Sequence, residues 1–570
     1  MIEVLLSSSR NIPDSNCVFC FEVLLAEAAN FGWVEILRPH KARPQDDKKA
    51  AEDFVETLPT AGETRRGDWW LLGGLSLALT LLHMLVDGRY GYFVDELYYL
   101  ACSHHLAWGY VDQAPLIAVV TWVERVALGD SLHALRFLPA VAAGLKVLLT
   151  GLIAKELGAR RYAMALACVA VIVAPLYLGL DSLLTMNVFE PCFWMGAALI
   201  VLKILNGASP KLWLLFGVLA GVGLQNKHST LFFGFGLFVG LLLTKQRRHF
   251  AQPWIWLGGF IAFLIFSPNL VWEIHRHFPT IELLRNVQAE GRNTELSWLG
   301  FVLQQALVMH PLSAPLWLVG LWYLMWDRDG KGIRVLGWTF LVILLCMLVL
   351  HGRIYYMAPA YPMLFAAGAV GFQNWAERHS WNWLKPAYVA ALLVTGAVFA
   401  PFAYFPVLTV EQYIVYSKFM HLAPPRIENS RQGPLPQLYA DQFGWKEMAQ
   451  VVAEAYFKLP PEERKSCAIF GQNYGQAGAI DFFGAKMGLP GAISGHQSYY
   501  YWGPRGYTGE CMIVMGDDYE TLSKKFESVE KTGTVDHPLS MPYQHFAVFV
   551  VRRPKFGTLQ QVWPKLKKWG

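Results

Sequence analysis

Charge is scarce in this sequence. Asp, Glu, Lys and Arg make up 16% of 570 residues and apolar residues 54%, where an average soluble domain carries about 25% charge. Such a chain belongs mostly in a membrane. The net charge is only +5, and no basic face with interleaved aromatics is present, which argues against a nucleic-acid partner. Cysteine is thin as well, at eight residues. Cys168, Cys192 and Cys346 fall in apolar runs and are expected to pack as small hydrophobes, and Cys17 and Cys20 form a lone CxxC with no second pair or flanking histidine, a poor metal or redox site. No internal repeat stands out.

The first 68 residues lack the basic start, apolar centre and small-residue cleavage site of a secretory signal. They are expected to be cytoplasmic or disordered. Trp69 to Val86 then gives 18 residues without a formal charge, near the ~20 that cross ~30 Å of hydrocarbon as a helix. Further apolar stretches follow at roughly 133–154, 163–180, 188–205, 212–225, 229–244, 254–272, 301–325, 335–350, 355–373 and 387–405, eleven in all. Lysine and arginine collect on cytoplasmic loops. With Arg65 and Arg66 placing the N-terminus inside, Lys155/Arg160/Arg161, Lys203/Lys211, Lys245/Arg247/Arg248, Arg328/Lys331/Arg334 and Arg378/Lys385 all fall in the connections that should face inward.

The other connections therefore face outward, and they hold the chemistry: Asp95, Glu96 and Asp112 in the first, Asp181 in the second, Lys227 in the third, Arg353 in the fifth. Carboxylates beside a bilayer are costly, because hydrocarbon cannot solvate them and water reaches them from one side. From residue 407 onward hydropathy falls. SCAIFG, CMIVMG and HFAVFVV read as strands and TLSKKFESVEK as a helix, an outward α/β domain. Its Cys467 and Cys511 are either a disulfide of an oxidising compartment or two core residues. The fold expected is mainly α: a polytopic bundle over 69–406 with a C-terminal extracytoplasmic α/β domain over 407–570.

DELYY after the first span, the DQAPL turn, LDSLLTMNVFEP, the GLQNKHST turn and GRIYYMAPAYP before a late span together resemble, in that order, the membrane glycosyltransferases of family 39. That family includes protein O-mannosyltransferases and bacterial lipid A aminoarabinose transferases and has the GT-C fold. NYGQAGAIDFFGAKMGLPGAISGHQSYYYWGP is similar to the extracytoplasmic domain of many bacterial members. The resemblance implies a multi-pass inner-membrane enzyme that uses a polyprenyl-phosphate sugar donor, hexosyl or pentosyl. Its acceptor would be a glycolipid, polysaccharide or protein at the outer face. Where the aminoarabinose transferases carry Glu-Lys-Pro-Pro, this chain has Asp112, Gln113, Ala114 and Pro115, so a lysine available there for phosphate or sugar is absent.

On that reading Asp95 takes the acceptor proton as general base, with Glu96 orienting it or binding acceptor. Tyr98 and Tyr99 lie three and four residues on, within reach of the same helix face. The leaving phosphate needs cations rather than an acid, a role for Lys227 and Arg353. Single displacement predicts inversion. Asp112, Asp181, Tyr355 and Tyr356 complete the substrate-binding set. No cofactor is required, and a divalent metal at Asp112 with His104 or His105 is left open.

Each residue also has a plainer reading. Asp95 and Glu96 could merely start a helix, Asp181 could cap the next one, Glu190 could snorkel from just inside its span, and Lys227 and Arg353 could anchor lipid headgroups. Tyr355, Tyr356 and Tyr361 could form an interfacial belt. The rival function is a secondary transporter or lipid flippase, which should place its ionisable groups and broken helices near the midplane of repeated halves.

Overall fold

The computed structural model describes residues 66–291, 296–326, 333–421 and 433–570. Cys17, Cys20, Arg65, Arg328 and Lys331 lie outside the described residues. Residues Glu63–Gly570 form one compact unit.

All eleven apolar stretches are helical. In chain order the principal helices are α1 (Arg66–Val86), α2 (Val94–His104), α3 (Leu116–Leu128), α4 (Phe137–Glu156), α5 (Arg161–Ile172), α6 (Pro175–Asp181), α7 (Met186–Leu205), α8 (Leu212–Asn226), α9 (Thr230–Leu242), α10 (Pro253–His275), α11 (Pro279–Ala289), α12 (Trp298–Val308), α13 (Ala314–Trp326), α14 (Arg334–Val349), α15 (Tyr361–Arg378) and α16 (Leu384–Phe399).

As membrane crossings they are not equivalent. Among the described residues five helices are long and apolar enough to cross alone, two bent pairs would raise this to seven, and α8, α9 and α14 are shorter apolar helices. The stretches at 163–180 and 301–325, read as single spans, are broken by 62° and 103°. Proline is the reason. Pro175 opens α6, and Pro311 follows His310, whose φ is +77°; a proline ring pushes the residue before it out of the helical region. α15 is buried at every residue from Tyr361 to Gly371, which makes it the centre of the bundle. Where α8 crosses α10, a Cβ on Gly217 would strike the Gly258 backbone and one on Gly258 the Trp213 backbone, the small-residue contact by which helices pack in lipid.

Beyond α17 (Val410–Met420) and α18 (Trp445–Lys458) the chain forms a four-stranded sheet. Its strands are β1 (Cys467–Phe470), β2 (Cys511–Met515), β3 (Phe526–Val535) and β4 (Phe546–Pro554), in the order β1-β2-β4-β3. β1 and β2 are parallel and the other pairs antiparallel. Cys467 and Cys511 face each other across β1 and β2 and are joined as a disulfide. The expected helix TLSKKFESVEK is only half helical. It ends at Lys525, and Phe526 onward is strand β3, because pairing with β4 outweighs the helix preference of Glu and Lys in a polar edge strand.

One face of this sheet packs a core of the domain's own residues, among them Phe470, Val514, Phe549 and Val551, and a second core is shared with the first outer loop. Leu97, Tyr98 and Ala101 of α2 share one buried cluster with Trp445 and Met448 of α18, Ile469 of β1 and Ile480. The helix carrying the two adjacent carboxylates is thus roofed by the C-terminal domain.

Candidate active site

α2 begins without a hydroxyl cap. Glu96, at its third position, folds back and accepts a hydrogen bond from Phe93 N at 2.8 Å. Its two oxygens also meet Arg136 Nε and Nη2, each at 2.8 Å, and Leu184 N at 2.9 Å. The residue is 0% exposed. Glu96 is therefore a buried anchor tying α2 to two other connections. It is not a surface for acceptor, because every face of its carboxylate is turned to protein.

Asp95, one residue earlier, points about 100° away around the helix. It is half-buried, and its Oδ1 accepts a hydrogen bond from Tyr474 Oη at 2.7 Å. Tyr474 opens α19 (Tyr474–Ala479), a short helix of the C-terminal domain. Tyr98, one turn on from Asp95, donates to Asp112 Oδ1 at 3.0 Å and accepts from Ser498 N at 3.2 Å. The Tyr98 and Tyr474 rings lie 4.8 Å apart. Asp112 is pushed up to about 7, by burial first and by the like charge of Asp95, against the Tyr98 hydrogen bond that opposes it. Tyr99 is buried; burial, Asp95 and Asp112 hold its phenol far above the usual range, and Tyr355 is within electrostatic reach of it. A second polar group stands at the C-terminal end of α8.

That group is built around Lys227, just past the end of α8. Its Nζ donates to Asn187 Oδ1 at 2.8 Å and Glu190 Oε2 at 2.9 Å, and it lies 4.5 Å from the Tyr356 ring centroid and 5.3 Å from that of Tyr355. The Lys227 side chain keeps 13% exposure and that of Glu190 only 2%. Glu190 therefore does not snorkel: it is the buried counter-ion of Lys227 and also accepts from Ser229 Oγ. Arg353 is half-buried and caps the 3-10 turn that carries Tyr355 and Tyr356. An apolar cavity of about 400 Å³ opens among α7, α8, α9 and α10, lined by Phe193, Phe216, Leu224, Thr230, Phe233 and Phe266 among others.

Asp181 stands elsewhere. It ends α6, while Thr185 holds the N-cap position of α7, so it caps nothing. Both of its oxygens are taken by Lys146 Nζ, at 2.6 and 2.8 Å, and the residue is 1% exposed. It is half of an ion pair sealed in the bundle, not a substrate ligand. The cation set considered at Asp112 does not assemble. His105 stacks on Trp502 at 4.3 Å, His104 is exposed, and among the described residues no three His, Cys, Asp or Glu side chains converge.

Arg136, Lys146, Asn187, Tyr474 and Ser498 were not foreseen. Arg136 and Lys146 are the two formal charges in the otherwise apolar stretch 133–154, a signal that the sequence does carry. Nothing local marks Tyr474 or Ser498.

Residues 112–272 match the family described as dolichyl-phosphate-mannose-protein mannosyltransferase. No curated protein sequence matches the chain. The crystal structure of ArnT from Cupriavidus metallidurans bound to undecaprenyl phosphate superposes with a TM-score of 0.55 at 16% identity, covering 84% of this chain and 97% of that one. The apo structure of the same protein gives 0.53 with the same identity and coverage. By fold the chain is GT-C-like, and one segment of it matches that glycosyltransferase family model. The matched segment contains Asp112, Glu190 and Lys227, while Asp95 stands just before it and Arg353 well after it.

Proposed function

We propose that the protein moves a hexose or pentose from a polyprenyl-phosphate carrier to an acceptor hydroxyl at the outer face of the inner membrane. The acceptor is a glycolipid, a polysaccharide or a protein. In this reading the N-terminus is cytoplasmic, as the lysines and arginines of alternate connections require. The carrying observation is the pairing of two unlike half-sites. A half-buried carboxylate, Asp95, accepts a hydrogen bond from the Tyr474 phenol, and a partly exposed ammonium, Lys227, sits against Glu190 and the rings of Tyr355 and Tyr356.

The chemistry follows from the charges. The acceptor oxygen bonds to the anomeric carbon as its proton passes to Asp95, while the bond from that carbon to the phosphate oxygen breaks. Negative charge grows on the departing phosphate, where Lys227 and Arg353 stabilise it. Tyr355 and Tyr356 wall the phosphate side. The apolar cavity takes the first isoprene units of the carrier, the kind of lipid bound in the ArnT structure. One displacement with no covalent sugar-enzyme stage gives inversion. The transporter alternative would need an accessible charged site deep in the bundle, and the pair found there, Lys146 and Asp181, is closed.

The test uses purified protein with radiolabelled undecaprenyl-phosphoryl mannose and arabinose, measuring sugar release and the configuration of the product. Release by wild type, its loss in Asp95→Asn with undecaprenyl phosphate binding retained, and an inverted product support the reading. Equal release from the variant removes Asp95 from the chemistry. Absence of both sugar release and carrier binding would overturn the transferase reading.

A further inference from the structure

We infer that the C-terminal domain is part of the catalytic centre, and that Tyr474 is the positioning residue that holds Asp95 ready to accept a proton. The inference rests on the reading of Asp95 as base.

Three observations carry it. The phenol of Tyr474 reaches Asp95 Oδ1 at 2.7 Å from 379 positions away in the sequence. The approach is built into the backbone: α19 lies directly on α2, because Gly475 and Gly478 face Val94 and Leu97, and a Cβ on Gly478 would sit 2.8 Å from the Leu97 carbonyl oxygen. A second segment of the same domain repeats the arrangement at the other carboxylate. Ser498 N donates to the Tyr98 oxygen, which donates to Asp112, and Ser498 Oγ accepts from Val111 N at 3.2 Å. Two phenols, one from each side of the domain boundary, thus each grip one carboxylate.

Tyr474 is suited to donate rather than accept. Burial and the charge of Asp95 hold its phenol well above its usual range, so it keeps its proton throughout the working pH range. A donor fixed on a carboxylate favours the ionised form and fixes its rotamer. The other groups facing this pair are Tyr99 and Asp112 on the membrane side, and His496 and Tyr543 within the C-terminal domain. Tyr543 is itself hydrogen-bonded to Asp441. From the neighbouring elements, Glu124 and Arg125 of α3 are engaged with Leu138 N and Asp130, and Asp481 with Tyr499 and Arg505. Tyr474 is hydrogen-bonded to Asp95 from the C-terminal domain.

The experiment compares full-length wild type, Tyr474→Phe and Asp95→Asn with the donor that wild type turns over, recording kcat, KM and the pH profile. Tyr474→Phe keeps the ring and removes one hydrogen bond to a charged group, so kcat is expected to fall on the order of 10- to 100-fold. KM for the donor and undecaprenyl phosphate binding should stay within about twofold, because the phosphate site is untouched. The acid limb of kcat/KM should move to higher pH, since a carboxylate that loses a donor binds its proton more readily. Loss of turnover with an unmoved acid limb would overturn the inference, because a merely packed ring gives that result. So would wild-type kcat. If Asp95→Asn is as active as wild type, it is the base reading that has failed, and the inference with it. If Asp95→Asn is inactive and Tyr474→Phe normal, the base stands and only the role of Tyr474 falls. Should Tyr474→Phe fail to fold, Gly478→Ala, which keeps the tyrosine but lifts α19 and its phenol away from α2, must shift the acid limb in the same direction.

Discussion

Arg136 meets Glu96 with two nitrogens on two oxygens, Nε to Oε1 and Nη2 to Oε2, each at 2.8 Å with both side chains sealed from solvent. The adjacent acids of the DELYY segment therefore have opposite fates. One is committed to holding the loop together, and its neighbour stays half-buried beneath the Tyr474 phenol. Their separation around the helix decides this, since consecutive residues never share a face.

Glu96→Gln keeps the shape and removes the charge, leaving Arg136 buried without its counter-ion. Breaking one half of a buried pair costs about 3–5 kcal/mol. The melting temperature and the turnover of Glu96→Gln should fall together, and differential scanning fluorimetry beside the sugar-release assay checks this. A stable but inactive variant would return Glu96 to the chemistry.

Lys227→Met should act on donor binding. A lost hydrogen bond from a cation to phosphate is worth about 1.5–3 kcal/mol, roughly 10- to 100-fold in affinity. Because Glu190 loses its partner at the same time, the single variant should also melt lower. Pairing it with Glu190→Gln should restore the melting temperature and leave donor KM high. Recovery of both would mean that Lys227 serves only the ion pair.

The raised value of Asp112, about 7 against 3.8 for a free carboxyl, makes stability depend on pH in a definite direction. Between those values the folded protein holds a proton that the unfolded chain has released, so stability falls as pH rises through this window. Asp112→Asn removes the effect. Its melting temperature relative to wild type should climb from about pH 4 to about pH 7 and then level off; a constant difference across that range would contradict the assignment.

Cys467 and Cys511 close a loop with a sequence separation of 44, for which the chain-entropy relation gives about 4 kcal/mol of stabilisation. Replacing both with serine should lower the melting temperature and make α18 and the β1–β2 region more sensitive to protease. Since that region carries Tyr474 towards α2, turnover should fall on warming sooner than carrier binding. Reductant should reproduce the effect in wild type and leave the serine variant unchanged.

Much of the architecture was legible because hydrocarbon is an uncompromising solvent. A stretch such as Trp69–Val86 has little choice but helix, and all eleven such stretches are helical. Their continuity was less legible. Pro175 and Pro311 break two of them, and α8, α9 and α14 fall short of a full crossing. FESVEK was misread because a polar edge strand carries no apolar alternation to distinguish it from a solvated helix.

The candidate site divides in the same way. Asp95, Asp112 and Lys227 were visible as charges in places where charge is expensive, and the structure gathers Asp112 with Tyr98, and Lys227 with Tyr355 and Tyr356. Glu96 and Asp181 looked equally promising, yet they are closed by Arg136 and Lys146. A buried counter-ion 35 or 40 positions away leaves no local trace.

The sequence by itself determined the apolar helices and the kinds of group available in the connections between them, because hydropathy and charge act residue by residue against the solvent. Only the tertiary structure decided which carboxylate is committed to an ion pair, which cation packs against Tyr355 and Tyr356, and that a phenol from the C-terminal domain bonds Asp95. Those outcomes depend on distances between residues that packing alone brings together, and Tyr474 on Asp95, 379 positions apart, is the clearest of them.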